Sequence, residues 1–216
     1  MARILLLVLV LCGASQLARA DPFHDQAATQ YRAIVARLAT SGRLDDDRAM
    51  LDRVRRISAG LIAAAAEARA DTTAWSWEVH VTSDASTAAF CMAGGKLLVG
   101  SEFVKRLDLG DGELAMLLGH EIAHAVADHR REAERGGMEA DPAQEIRRAR
   151  IAVGQENEAD EIGLSLAYRA GWPASGLATF YDKLAAEEGA GAFNSPHALA
   201  AARAAAARAL VQKLGR

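Results

Sequence analysis

Aromatic residues are scarce in this chain, and cysteine and proline are nearly absent. Phe, Trp and Tyr supply 5% of its 216 residues, beside 2 Cys and 4 Pro. So few cysteines exclude a disulfide framework. None is needed at this length, because one domain of this size can bury a sufficient core. A core poor in aromatics and rich in alanine points to helices packed closely on small side chains. Positive charge is not in excess either: a formal net charge of -3, with no basic block, removes the electrostatic case for nucleic acid. No apolar run approaches the ~20 residues of a membrane-spanning helix.

What is present begins with a targeting segment. Arg3 supplies a positive start, Ile4 to Leu11 an apolar stretch, and Ala18-Arg19-Ala20 a small-x-small cleavage site, the pattern of an export signal. Residues 1–20 are therefore expected to be removed, leaving Asp21 as the first residue of a soluble, periplasmic protein. Leu9-Val10-Leu11 before Cys12 also allows a lipoprotein reading, although Leu11 is bulky where a small residue is expected. Membrane association is expected only through a lipidated Cys12. With Cys12 gone, Cys91 is the one remaining cysteine, and a lone cysteine of this kind reads as a small buried hydrophobe.

Apolar residues recur at helical spacing from about Asp25 to Leu38 and from about Asp45 to Arg69, giving two scaffold helices. Asp45-Asp46-Asp47 reads as helix-start capping rather than as a cation site. The period then changes to two: Trp75, Trp77, Val79 and Val81 share one face of a strand, with His80 on the opposite, wetter face. Ala88 to Met92 and Lys96 to Val99 form two more short strands around Ala93-Gly94-Gly95. Ser101 to Leu107 is a short helix, and Asp111 to His129 a long amphipathic one. A charged, exposed connection is expected from Arg130 to Gln144. Helices follow from about Ala143 or Glu145 to Ala170, from Pro173 to Glu187 and from Pro196 to Leu214, with a loop over 189–194. The whole is a mostly helical α+β chain with one small sheet.

The chemistry starts at His120-Glu121-Ile122-Ala123-His124. Residues i and i+4 of a helix project from one face, so the two imidazoles can grip one metal ion, with Glu121 beside them to take a proton from a metal-bound water. A hydrolytic zinc site requires three protein ligands and one open position. A third histidine six residues after His124 would suit one class of peptidase, but Arg130 stands there and His129 is one place out of register. Glu156 is the better third ligand. Asp160 lies four residues on, placed to accept a hydrogen bond from the outer nitrogen of one zinc histidine. Taken alone, this stretch reads more readily as a solvated acidic face, since Glu158 and Glu161 are close by, and the His-Glu-x-x-His one helix earlier reverses that reading.

Several segments in this order carry a family resemblance: Phe90-Cys-Met-Ala-Gly-Gly-Lys-Leu-Leu-Val99, Glu113-Leu-Ala-Met-Leu-Leu-Gly-His-Glu-Ile-Ala-His124 and Glu156-Asn-Glu-Ala-Asp-Glu-Ile-Gly163. Ala170-Gly-Trp-Pro173 and Ser195-Pro-His-Ala198 with Arg203 complete the set. The chain resembles the M48 family of zinc metallopeptidases, in the small periplasmic branch related to Oma1 and Ste24-type proteases. The resemblance implies a zincin-like fold with a small hairpin beside the metal helix. It also implies one Zn2+ held by His120, His124 and Glu156, Glu121 as general base, and Asp160 behind the ligands. His197 and Arg203 match the family's His…Arg element. His197 is expected to stabilise the tetrahedral intermediate or to close the open zinc position at rest, and Arg203 to support substrate or transition state.

Two departures bear on substrate. Ala88-Ala89-Phe90 stands where the family usually has Asn-Ala-Phe, and Pro196-His197 reverses the usual order. Domain organisation is read as a signal over 1–20, then a single metallopeptidase domain over 21–216, with scaffold helices to 70 and a catalytic part from 74. The expected activity is endopeptidase cleavage of exported or misfolded envelope polypeptides, laid as an added strand along Ala88, Ala89 and Phe90. The alternatives are a chaperone-like binding protein that retains the zinc site, and a latent protease gated by His197.

Overall fold

The computed structural model describes residues 21–135, 142–189 and 200–214. The expected signal segment over 1–20, with Cys12, and also His197 lie outside the described residues. Eight α-helices and three strands are described: α1 (Pro22–Thr40), α2 (Arg48–Ala68), β1 (Glu78–Thr82), β2 (Ala89–Met92), β3 (Lys96–Gly100), α3 (Ser101–Arg106), α4 (Asp111–Val126), α5 (His129–Arg135), α6 (Pro142–Arg169), α7 (Ala174–Gly189) and α8 (Ala200–Leu214). The fold is α+β and mostly helical.

Helix starts follow local chemistry. Asp21 accepts the N–H of Phe23 ahead of Pro22 at the opening of α1. Asp47 accepts the N–H of Met50 at 3.0 Å to open α2, so one of the three consecutive aspartates caps a helix, as side-chain acceptors do there. Glu113 reaches back to the N–H of Gly110 at 2.8 Å and opens α4.

The sheet runs β1-β3-β2, with β1 parallel and β2 antiparallel to β3. Val79, Val81, Leu97, Val99 and Cys91 share one face and pack with α2 and α4, whereas Leu98, Phe90 and Met92 face α1. The face expected to be wet is therefore covered. Tyr31 of α1 is fully buried and donates its hydroxyl to the carbonyl of Leu97 at 2.6 Å. His80, on that same face, is held by Asp45 at 2.7 Å. β1 begins only at Glu78, because 70–74 form a 3-10 turn and Trp77 folds back to donate its indole N–H to the carbonyl of Thr72. β2 is an edge strand, its outer side paired with no strand among the described residues.

The central helix stops at Val126, shorter than its apolar pattern predicts, and the expected exposed connection begins as helix α5 instead. The break is at Asp128, whose φ of 57° lies in the left-handed region, a conformation Asp tolerates better than most side chains. Arg69, at the end of α2, fixes this corner by donating to the carbonyl of Val126 and to the Asp128 carboxylate at 3.0 Å.

Candidate metal centre

α4 and α6 cross at two glycines. A Cβ on Gly163 would lie 2.6 Å from the backbone N of His120, and one on Gly119 would lie 2.7 Å from the carbonyl oxygen of Gly163. Only residues without side chains let the backbones approach so closely. Gly163, Asp160 and Glu156 fall at i, i−3 and i−7 along α6, one face of that helix. The face that makes the crossing thus also carries the carboxylates to the histidines.

The result is a cluster of His120, His124 and Glu156. His124 Nε2 lies 3.0 Å from His120 Nε2, Glu156 Oε1 3.3 Å from His124 Nε2, and Glu156 Oε2 3.4 Å from His120 Nε2. A tetrahedral ion with bonds of about 2.0–2.2 Å has ligand-to-ligand edges of about 3.3–3.6 Å. The two separations from Glu156 fall in that range and the one between the imidazoles is 0.3 Å short of it, and the two-imidazole, one-carboxylate donor set fits zinc.

The outer nitrogens of the two histidines meet different partners. His120 Nδ1 lies 2.9 Å from Asp160 Oδ1. Asp160 is gripped by Arg203, with Nε at 2.8 Å and Nη2 at 2.5 Å, and accepts the Tyr181 hydroxyl. His124 Nδ1 lies 2.9 Å from His129 Nδ1. Along a continuous helix, His129 would point about 140° away from His124. The left-handed corner at Asp128 folds it back, and it is 3% exposed.

Charges in the cluster follow from these contacts. Burial opposes charge on His120, but its bonds to Asp160 and Glu156 prevail and carry the imidazole up to about 9. Burial holds His124 below its ordinary value despite Glu156. Asp160, though buried, stays below the usual carboxylate range because Arg203 and His120 both bond it.

A sign follows for metal loading. Metal must displace the proton from His120 Nε2, so apparent affinity is expected to rise with pH until about 9, by up to about tenfold per unit. Chelator-competition titrations across that range check this, and an affinity independent of pH contradicts it.

Arg203 is 5% exposed, and its guanidinium engages Asp160 and, at 3.1 Å, Glu156, so it braces the carboxylate behind His120 and the carboxylate of the cluster. The expected substrate strand shifts. Of Ala88, Ala89 and Phe90, only Phe90 lines the cleft over the cluster, joined by Cys91 and Ala93. Ala88 precedes β2, and its carbonyl is occupied by the N–H of Gly100 at 2.7 Å.

That cleft, of about 270 Å3, is bordered by Glu121, His124, Asp128 and His129, with Phe23 of α1 forming part of its wall. The N-terminal helix is therefore part of the site and not only a scaffold. Glu121 is 4% exposed yet reaches the cleft. Burial and the neighbouring Glu121 charge push the Cys91 thiol far up, leaving it neutral and unreactive.

Sequence reading missed Gly119, Gly163, His129 and Tyr181. The two glycines carried a signal: one precedes His120 directly, and the other shares a helical face with Glu156. His129 and Tyr181 carried none, because their roles depend on a chain reversal and on a distant helix.

The sequence profile of peptidase family M48 matches residues 51–140. The mitochondrial metalloendopeptidase OMA1 of Schizosaccharomyces pombe is 31% identical over 144 residues, covering 56% of this chain and 42% of the relative. The protein of the same name from Arabidopsis thaliana is 41% identical over 54 residues, 25% of this chain and 11% of its own length. The chain thus spans less than half the length of these relatives. The profile takes in the sheet and the two histidines and ends before Glu156. Over the matched span, and in its Oma1 relatives, the chain is similar to the metallopeptidases of family M48.

Proposed function

We propose that the protein is a zinc-dependent endopeptidase acting on extended stretches of polypeptide. The observation that carries this reading is the convergence of His120, His124 and Glu156, from two helices, beneath a cleft that also exposes Glu121 and runs beside the edge strand β2. Bound zinc supplies Lewis-acid polarisation of the scissile carbonyl and acidification of a water. Glu121 takes the proton released and passes it to the leaving amine. Edge strand β2 holds the substrate main chain by backbone pairing, which reads few side chains. Broad specificity and unfolded substrates follow. The export pattern of residues 3–20 favours exported polypeptides as the targets.

The test is metal content beside cleavage. The purified chain is expected to carry close to one zinc and to cut casein, with chelation stopping the reaction and zinc restoring it. Glu156→Ala should lose both metal and cleavage. A fully zinc-loaded protein that holds casein without cutting it would instead support a binding protein that retains the metal site. No helix among the described residues is long and apolar enough to cross a membrane.

A further inference from the structure

We propose that His129 is a positioning residue that selects the metal-binding tautomer of His124, with Glu158 in turn selecting the tautomer of His129. The inference rests on His120, His124 and Glu156 being the ligand set.

The argument is a count of protons. The two Nδ1 atoms lie 2.9 Å apart, a hydrogen-bond distance that allows one hydrogen between them. His124 can offer its Nε2 lone pair to a metal only if its own proton is on Nδ1. In that state His124 donates and His129 Nδ1 accepts. His129 must then carry its proton on Nε2, which faces Glu158 Oε2 at 3.3 Å, and a carboxylate only accepts. With both rings neutral, one arrangement leaves His124 able to ligate: Glu158 accepts from His129, His129 accepts from His124, and His124 Nε2 is bare toward the cluster. A His129 protonated on both nitrogens would instead donate to His124 Nδ1 and leave the hydrogen on His124 Nε2. With the protons shifted the other way, His129 donates to His124 Nδ1. His124 Nε2 then holds the hydrogen and cannot ligate, while His129 Nε2 presents a lone pair to an anion.

The surroundings hold this relay in place. The rings of His124 and His129 meet edge to face with centroids 5.0 Å apart. Gln155, also on α6, donates to the backbone carbonyl of His129 at 3.3 Å. Glu156, Gln155 and Glu158 are near neighbours on one helix, so the segment that supplies the third ligand also fixes the partner of the second. The two ligand histidines are supported unequally: a buried carboxylate backs His120, and an imidazole backs His124. Outer partners of metal-bound histidines commonly contribute 10–100-fold in metal affinity.

Zinc affinity is measured by chelator competition on the full chain, wild type first. If the wild type fails to bind one zinc, the ligand assignment fails and not the relay. His129→Phe keeps a ring but removes the acceptor, and is expected to weaken zinc binding about 10–100-fold. His129→Gln, whose side-chain oxygen can accept from His124, should recover most of the loss. Thermal melting of both metal-free variants separates unfolding from lost affinity. Equal affinity in wild type and a folded His129→Phe overturns the proposal, as does equal loss in the Phe and Gln variants at matched melting temperature. Nitrogen-15 spectra of the zinc-loaded wild type decide it even if neither variant folds: His129 should be neutral with its proton on Nε2, and a proton on its Nδ1 refutes the relay.

Discussion

Glu121→Gln is expected to lower peptide-bond hydrolysis by about 10²–10⁴-fold while leaving zinc content near that of the wild type. The two side chains have nearly the same shape, so packing around a residue that is 4% exposed is preserved. What disappears is the ability to accept a proton. Glu121 is not one of the three clustered donors, so the ligand set remains whole. It does carry charge beside the histidines, favouring their protonated forms. By the same attraction it favours a bound cation, and zinc affinity should fall slightly rather than collapse. Turnover of a peptide substrate and zinc per chain, measured on the same preparation, give the two readouts. Unchanged turnover would remove Glu121 as the base. Loss of zinc along with turnover would make it a support of the site and not a participant in the reaction.

Sequence and structure agree where an argument is local. His120 and His124, and again Glu156 and Asp160, are pairs at i and i+4, and helical geometry alone places each pair on one face. Alternation in the strands is of the same kind, and the register confirms which of Val79, His80 and Val81 face together. The helices α1 and α2 follow their apolar stripes for the same reason. Disagreement appears wherever a partner is distant or the chain reverses. Nothing near His80 in sequence reveals that α1 covers its face, because that packing depends on Tyr31 meeting the carbonyl of Leu97. The end of α4 depends on Arg69, 57 residues away, gripping the carbonyl of Val126. Without that corner His129 is a histidine out of register; with it, His129 is a partner of His124. The contact of Arg203 with Asp160 belongs to the same class, because the two residues are 43 positions apart in the chain.

Gly163→Ala is expected to cost the protein its metal. The added Cβ would fall 2.6 Å from His120 N, 2.8 Å from Gly119 C and 2.9 Å from His120 Cα. All are backbone atoms, which cannot turn aside as a side-chain tip can. Relieving the clash requires α6 to move away from α4 by about 1 Å, since carbon contacts settle near 3.5–4.0 Å. Metal sites tolerate about 0.2 Å in ligand distance. Glu156 lies two turns from Gly163 on the same face, so this movement carries it and Asp160 away from the histidines together. Zinc affinity should fall 100-fold or more, whereas overpacking alone costs about 1–3 kcal/mol of stability. Gly154→Ala on the same helix is the control: its Cβ meets nothing within 4 Å. The better helix former there should add up to about 1 kcal/mol and leave zinc binding unchanged. Chelator competition and thermal melting of the two variants separate the effects. A Gly163→Ala protein that binds zinc like the wild type would mean that the α4–α6 crossing does not set the geometry of the ligands.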